Sequence, residues 1–313
     1  MNIVFMGTPD FAVPCLNALL VRGETVSAVF TQPDKPKGRG YKLAPPPVKE
    51  VALQHGIPVY QPLSFKKEPD ASNAMQALKE LSPDLIVVVA YGKLLPRAVL
   101  EIPKLFCINV HASLLPLYRG AGPIQWAVLN GEKETGITTM RMAEGLDTGD
   151  MLVKKSTPIG KNETASELHD RLAVLGAETL LKTLEKINEG TMVPVPQDDH
   201  ASSYAPMLTK ELCAIDFGKS AQDIHNQIRG LSEWPAATAQ LNEKRIKIYK
   251  SVLVSGDFHS YRAGEIVKSD NLTVVCGDGQ AISILELQAD GGKRMSSSDY
   301  LRGNKVELGT IMA

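Results

Sequence analysis

Leu85-Ile-Val-Val-Val89 is five apolar residues in succession, with none of the polar alternation of a strand that faces water on one side. It reads as a strand within a sheet. Similar runs stand before and after it: Asn2-Ile-Val-Phe-Met6, residues 25–31, Val59-Tyr60 and residues 106–110. Between them lie stretches with helical spacing. Residues 9–21 put Ala12, Val13, Leu16, Leu19 and Leu20 on one face, residues 48–55 form a short helix ended by Gly56, and residues 71–81 form a third. Strands alternating with helices predict an α/β fold with a doubly wound, mostly parallel, Rossmann-like sheet. Residues 137–142 and 151–156 read as two further strands, an antiparallel hairpin with a long loop. Residues 164–189 read as a long helix with Leu168, Leu172, Leu175 and Leu180 inward.

The character of the chain then changes. Residues 190–208 carry Pro194, Pro196 and a polar Asp-Asp-His-Ala-Ser-Ser stretch, and read as a linker. One helix follows over 219–229. After it come short β-type runs at 237–241, 245–253, 264–268, 273–276 and 281–287, separated by Gly and Asp-Gly signals. That spacing predicts a small, OB-like β-barrel. The expected organisation is a catalytic domain over 1–189, the linker 190–208 and a barrel domain over 209–313.

Length and composition fit this plan. The 313 residues suit two domains, and 43% hydrophobic with 22% charged residues is ordinary for a soluble globular chain. A formal net charge of −1 removes bulk positive charge as an argument for nucleic acid, so any such contact has to come from a local patch. Cys15, Cys107, Cys213 and Cys276 lie far apart and form no C-x-x-C pair, which speaks against a zinc site and a disulfide framework. Residues 1–7 are already strand-like, with no basic stretch or cleavage site, and the apolar run 85–90 is too short to span a bilayer. The expectation is a monomer in a reducing cytoplasm, with no membrane partner and no metal.

The chemistry concentrates in Cys107-Ile-Asn-Val-His-Ala-Ser-Leu-Leu-Pro116, which leaves a strand. Asn109 and His111 are two apart, so in extended backbone their side chains point the same way, about 7 Å apart. At the carboxyl end of a sheet strand they would stand where open α/β sheets bind ligands. An amide donor beside an imidazole suits attack of an amine on a carbonyl: the amine has to lose a proton, and the carbonyl oxygen gathers charge. Asp147 lies in Glu144-Gly-Leu-Asp-Thr-Gly-Asp150, where two glycines let the backbone bend tightly. Its carboxylate, brought against His111, would orient the ring and stabilise its charged form. Each piece alone also has a plain reading: the Asn-Val-His triplet as a strand end with a satisfied histidine, the glycine loop as a solvated turn. Asp147 and Asp150 could mark a metal, but no His or Cys at ligand spacing accompanies them. Gly7-Thr-Pro-Asp after the first strand lacks the further glycines of a dinucleotide fingerprint, which disfavours a nicotinamide oxidoreductase.

In combination the pieces become specific. Asn109-Val-His111, Ser113-Leu-Leu-Pro116, Arg119-Gly-Ala-Gly-Pro123, Gly136-Ile-Thr-Thr-Met140 and Gly145-Leu-Asp-Thr-Gly-Asp150, in that order and spacing, resemble the folate-dependent formyltransferase family. The resemblance covers the whole chain, the C-terminal part least. It implies Asn109, His111 and Asp147 as the catalytic trio and Ser113, Leu114, Leu115 and Pro116 as the folate-binding segment. It also implies 10-formyltetrahydrofolate as donor and direct transfer without a covalent enzyme intermediate. Ser113 is then a positioning residue, not an acyl carrier. Gly7-Thr-Pro-Asp-Phe11 and Thr31-Gln-Pro-Asp34 resemble the branch of that family whose acceptor is the α-amino group of methionyl initiator tRNA, which implies a part in translation initiation.

Pro33-Asp-Lys-Pro-Lys-Gly-Arg-Gly-Tyr-Lys42 carries Lys35, Lys37, Arg39 and Lys42 against one acid, Asp34. By itself it reads equally as a solvated loop or a phosphate-binding one. Beside the family match it resembles an insertion that enters the tRNA acceptor end, with Arg39 reaching the terminal base pairs or phosphates and Tyr41 able to stack on a base. Over 209–313 basic and acidic residues balance. The best local patch there is Lys244-Arg-Ile-Lys-Ile-Tyr-Lys250. As a strand it puts Arg245, Lys247 and Tyr249 on one face, either for a tRNA backbone or as a charged guard on a sheet edge. Lys293 and Arg294 form a second candidate patch. A formyltransferase acting on a small amine or an amino sugar would share the trio; the basic loop and the added barrel argue for tRNA.

Overall fold

The computed structural model describes residues 1–37, 42–269 and 271–313. The chain divides into two compact units. One comprises 1–120, 135–157 and 169–204, the other 121–134, 158–168 and 205–313.

The first unit is built on seven strands: β1 (Asn2–Gly7), β2 (Thr25–Phe30), β3 (Val59–Tyr60), β4 (Leu85–Val89), β5 (Phe106–His111), β6 (Glu134–Arg141) and β7 (Met151–Pro158). Their order across the sheet is β7-β6-β5-β4-β1-β2-β3. β1 pairs parallel with β2 and β4, β2 with β3, and β4 with β5, whereas β5 pairs antiparallel with β6. The mixed, mainly parallel sheet follows from the apolar runs. β4 is buried at every position because it has neighbours on both edges and helices to meet its side chains. Ile86 and Val88 pack with Val4, Met6, Phe30 and Leu78, so truncating Ile86 to Ala would cost about 2–5 kcal/mol.

Helices α1 (Val13–Arg22), α2 (Pro47–Gln54), α3 (Asp70–Leu81) and α4 (Arg97–Leu100) connect the strands. α1 carries Pro14 in its first turn, where a missing N–H is harmless, buries Cys15, Leu16 and Leu19, and stops at Gly23, left-handed at φ +81°. β1, β2 and β3 build outward on one side and β4 and β5 on the other. The chain therefore reverses between β1 and β4, whose carboxyl ends, Gly7 and Val89, flank the crevice where such sheets take ligands. β5 ends one strand further on, at His111.

The second unit contains α5 (Pro123–Leu129), the capped start of α6 (Ala165–Asn188), α7 (Ala221–Gly230), strands β8 (Ala237–Leu241), β9 (Lys244–Val254), β10 (Ile266–Lys268), β11 (Thr273–Val275), β12 (Ala281–Ala289) and β13 (Met295–Ser296), and α8 (Ser297–Gly303). The start of α6 is a reciprocal capping box: Glu167 N–H donates to Thr164 Oγ1 at 3.2 Å, and Thr164 N–H donates to Glu167 Oε2 at 2.9 Å. The strands form an antiparallel sheet ordered β8-β9-β12-β11-β10, with β13 on β12. Asn242 and Glu243, both left-handed at φ +48° and +61°, turn β8 into β9. Ile224 and Ile228 of α7 pack with Ile246, Ile248, Ile282 and Ile284.

Three features differ from the sequence reading. Residues 123–129 form α5, which the glycine-rich Arg119–Pro123 motif concealed. β13 and α8 extend the C-terminal part. Within the expected linker, Met151 and Val195 exchange two backbone hydrogen bonds of 2.8 Å, which attaches that segment to β7.

Candidate active site

β5 sets the position of the central pair. Asn109 stands opposite Val88 of β4 and Met140 of β6, and His111 opposite Thr138 of β6. With partners on both edges the register is fixed, and the pleat turns Asn109 and His111 to the same side. Both meet one carboxylate. Asn109 Nδ2 donates to Asp147 Oδ1 at 3.3 Å, and His111 Nδ1 lies 3.6 Å from Asp147 Oδ2. His111 is 6% exposed, so this face of the ring is screened from bulk water.

The imidazole is held from its other edge. Its Nε2 lies 2.9 Å from the carbonyl oxygen of Tyr118. A carbonyl only accepts, so Nε2 carries the hydrogen. In the neutral ring Nδ1 then presents a lone pair to a carboxylate oxygen, at a distance too long for a hydrogen bond. The arrangement is completed by a proton, on Nδ1 or on a group entering between the two. Ring orientation, expected from Asp147, is supplied by Tyr118, while Asp147 faces the nitrogen able to accept a proton.

Asp147 sits in the left-handed region at φ +54°, a conformation that costs on the order of 1 kcal/mol outside glycine. Several contacts hold it there. Gly120 N–H donates to its Oδ2 at 2.9 Å, and Gln197 Nε2 donates to the carbonyls of Asp147 at 2.8 Å and Gly149 at 2.7 Å. At Gly149 a Cβ would stand 1.7 Å from the carbonyl oxygen of Arg141, so only glycine lets the loop fold onto the end of β6. Arg141 N–H closes that loop on Asp150 O at 2.8 Å. Gln197 was not legible in the sequence. The only local signal is Pro194 and Pro196, which keep the approach extended.

In the segment Ser113–Pro116, Ser113 and Leu115 are fully buried. Ser113 Oγ donates to Leu117 O at 2.6 Å, Thr138 Oγ1 donates to Ser113 O at 2.7 Å and accepts from Leu115 N–H at 3.1 Å, and Lys154 Nζ donates to Leu115 O at 2.7 Å. The segment is thus a fixed turn that offers the half-buried Leu114 and Pro116. A surface cavity of about 440 Å³ is lined by Arg97 and Leu100 of α4, the following Glu101, Phe106 and Cys107 at the amino end of β5, and Arg141, Met142 and Glu144; neither the Asn109–His111–Asp147 group nor the Ser113–Pro116 segment lines it. Burial pushes the Cys107 thiol up to about 12, so it is a wall and not a nucleophile. Among the described residues no cluster of His, Cys, Asp or Glu is arranged to hold a metal ion, and no helix is long and apolar enough to cross a membrane.

The basic loop is framed by a two-stranded ribbon, Lys35–Lys37 with Lys42–Ala44, in which Lys37 pairs with Lys42. Lys35 is exposed. Arg39 and Tyr41 lie outside the described residues. Asp34, the loop's one acid, is engaged elsewhere: Lys49 Nζ lies 2.8 Å from its Oδ1, Gln61 Nε2 donates to it at 2.8 Å, and these hydrogen bonds hold its carboxyl below the usual range. In the second unit, Arg245 is exposed and Lys247 half-buried, whereas Tyr249 is buried. The Arg294 guanidinium lies 4.2 Å above the Tyr249 ring and pairs at 2.6 Å with both Glu233 and Glu286. Tyr249, expected on the positive face of this strand, is therefore covered, and the Arg294 charge is met by two carboxylates.

Residues 1–184 match the family model "Formyl transferase", and residues 207–305 match "Formyl transferase, C-terminal domain". The chain is 51% identical to a methionyl-tRNA formyltransferase of Citrifermentans bemidjiense over 100% of its own length and 96% of that protein's. It is 53% identical to one of Geobacter metallireducens over 99% and 97%. Among solved structures it resembles an N-formyltransferase from Helicobacter canadensis in complex with folinic acid and dTDP-3-aminofucose, with TM-score 0.68, 23% identity, and coverage of 91% of this chain and 98% of that one. At that identity the likeness concerns the fold.

Proposed function

The chain belongs to the methionyl-tRNA formyltransferase family, and on that premise we propose how its own residues carry the reaction. The reaction moves the formyl group of 10-formyltetrahydrofolate to the α-amino group of methionyl initiator tRNA, for translation initiation. A proton has to leave the amine, and the formyl oxygen has to be stabilised as it gains charge. His111 takes the proton at Nδ1, because Nε2 is committed to Tyr118, and Asp147 Oδ2 compensates the charge the ring acquires. Asn109 holds Asp147 with one N–H of its amide and donates the other to the formyl oxygen, a contact worth about 10²–10³ in rate in comparable sites. Transfer is direct.

The donor supplies an activated formyl group when bound. Ser113, Leu114, Leu115 and Pro116 hold it. Lys35, Lys37, Arg39 and Lys42, with Arg245 and Lys247, contact tRNA. The protein acts as a cytoplasmic monomer, with catalysis in 1–189, a linker over 190–208, and an OB-like tRNA-binding barrel over 209–313.

The observation that carries the mechanism is the meeting of Asn109 and His111 on one carboxylate at the carboxyl end of β5. The test is formyl transfer from labelled donor to a panel of charged initiator tRNA, charged elongator tRNA, free methionine and sugar amines. Initiator tRNA should be the preferred acceptor by a wide margin. Transfer to a sugar amine alone would overturn the acceptor assignment.

A further inference from the structure

Gln197 approaches the Asp147 loop from a segment fixed to β7 two residues earlier by the Met151–Val195 bridge. Its amide orientation is determined by its neighbours. Arg119 is a donor only, and its Nε lies 3.0 Å from Gln197 Oε1. The NH₂ group is thereby turned to the opposite side, where its two hydrogens meet two acceptors, Asp147 O at 2.8 Å and Gly149 O at 2.7 Å. Arg119 is itself anchored, by Asp199 Oδ1 at 2.8 Å and by its backbone N–H on Ser203 O at 2.9 Å. The two carbonyls belong to a glycine-flanked loop whose central residue is left-handed. Such a loop does not hold one conformation by itself; donors on its main chain select one.

We propose that Gln197, oriented by Arg119, is a positioning residue that sets the Asp147 carboxylate against His111. This rests on the reading of Asp147 as part of the catalytic trio. Gln197 touches no reacting atom, so its removal should alter turnover through Asp147 alone.

Two variants separate the hydrogen bonds from the packing. Gln197→Met keeps length and loses every hydrogen bond. Gln197→Glu keeps an acceptor for Arg119 but has no donor for the two carbonyls. Each should lower kcat on methionyl initiator tRNA by about 10- to 100-fold, as for displacement of a catalytic group by about 1 Å. The KM for 10-formyltetrahydrofolate should stay within about threefold, with the protein still folded at the assay temperature. In single-turnover assays with excess enzyme, Gln197→Met added to Asp147→Ala should slow transfer by less than about twofold beyond Asp147→Ala alone. Should Gln197→Met fail to fold, Arg119→Met, which lets the Gln197 amide flip, should show the same kcat-only defect at smaller size. Wild-type kcat in a folded Gln197→Met, or a loss that multiplies with that of Asp147→Ala, would overturn the proposal. Near-normal rates in Asp147→Ala would instead overturn the role of Asp147.

Discussion

Gly149→Ala tests how closely Asp147 has to be placed. The added Cβ would stand 1.7 Å from the Arg141 carbonyl oxygen, a backbone atom at the end of β6. A relaxed carbon–oxygen contact is about 3.3 Å, so the loop has to retreat by about 1.6 Å. Retreat strains the hydrogen bond from Gln197 to Gly149 O and carries Asp147 off the 3.6 Å approach to His111. Overpacking of this kind costs about 1–3 kcal/mol of stability. The larger effect is on rate: a displacement above 1 Å should lower kcat by about 10²-fold. Steady-state formyl transfer to charged initiator tRNA measures this, with donor affinity and melting temperature followed in parallel. Gly303→Ala is the control, since at that glycine of α8 a Cβ meets nothing within 4 Å and kinetics should be unchanged. Wild-type kcat in folded Gly149→Ala would refute the argument that loop placement governs turnover.

Other features make separate predictions. The Lys250 ammonium, with Thr164 N–H, pulls the Glu167 carboxyl down to about 2, so its contribution to stability is complete above about pH 4.5 and is lost as pH falls through about 2. Glu167→Gln, which keeps the cap but not the charge, should be less stable than the parent at pH 7 in urea denaturation. The difference should close over that acidic window. Burial holds the Cys15, Cys107 and Cys276 thiols up to about 12, and Cys213 is raised as well. A disulfide reagent at pH 8 should therefore find no reactive thiol in the native protein and four after unfolding; stoichiometric native labelling would contradict the packing. Arg245→Ala should raise KM for tRNA with kcat preserved. Arg294→Ala should leave tRNA kinetics unchanged and lose about 1 kcal/mol of stability through its contact with Tyr249. A reversal of the two phenotypes would move the interface.

The sheet was legible because its strands are short apolar runs whose burial the pattern itself encodes, as at residues 85–89. The site was legible in outline for a different reason. Asn109 and His111 share a strand, and a period of two fixes their common side. What the sequence did not carry were contacts made by main-chain atoms between distant segments. The Tyr118 carbonyl that sets the His111 tautomer and the Gln197 amide that grips two carbonyls some fifty residues away involve groups every residue possesses. Helix α5 was hidden by the glycines before it. Tyr249 follows the strand alternation, yet Arg294 from another segment covers it, which periodicity within one strand cannot reveal.

The central claim is that Asn109 and His111 act on the chemical step, with Asp147 between them. Rapid-quench measurement of a single formyl transfer, at saturating donor and charged initiator tRNA, reads that step directly. His111→Ala should slow it by about 10²–10⁴-fold and Asn109→Ala by about 10²–10³-fold, while each binds 10-formyltetrahydrofolate within about threefold of the parent. Transfer at the parental rate in either variant, or a loss wholly accounted for by weaker donor binding, would contradict it.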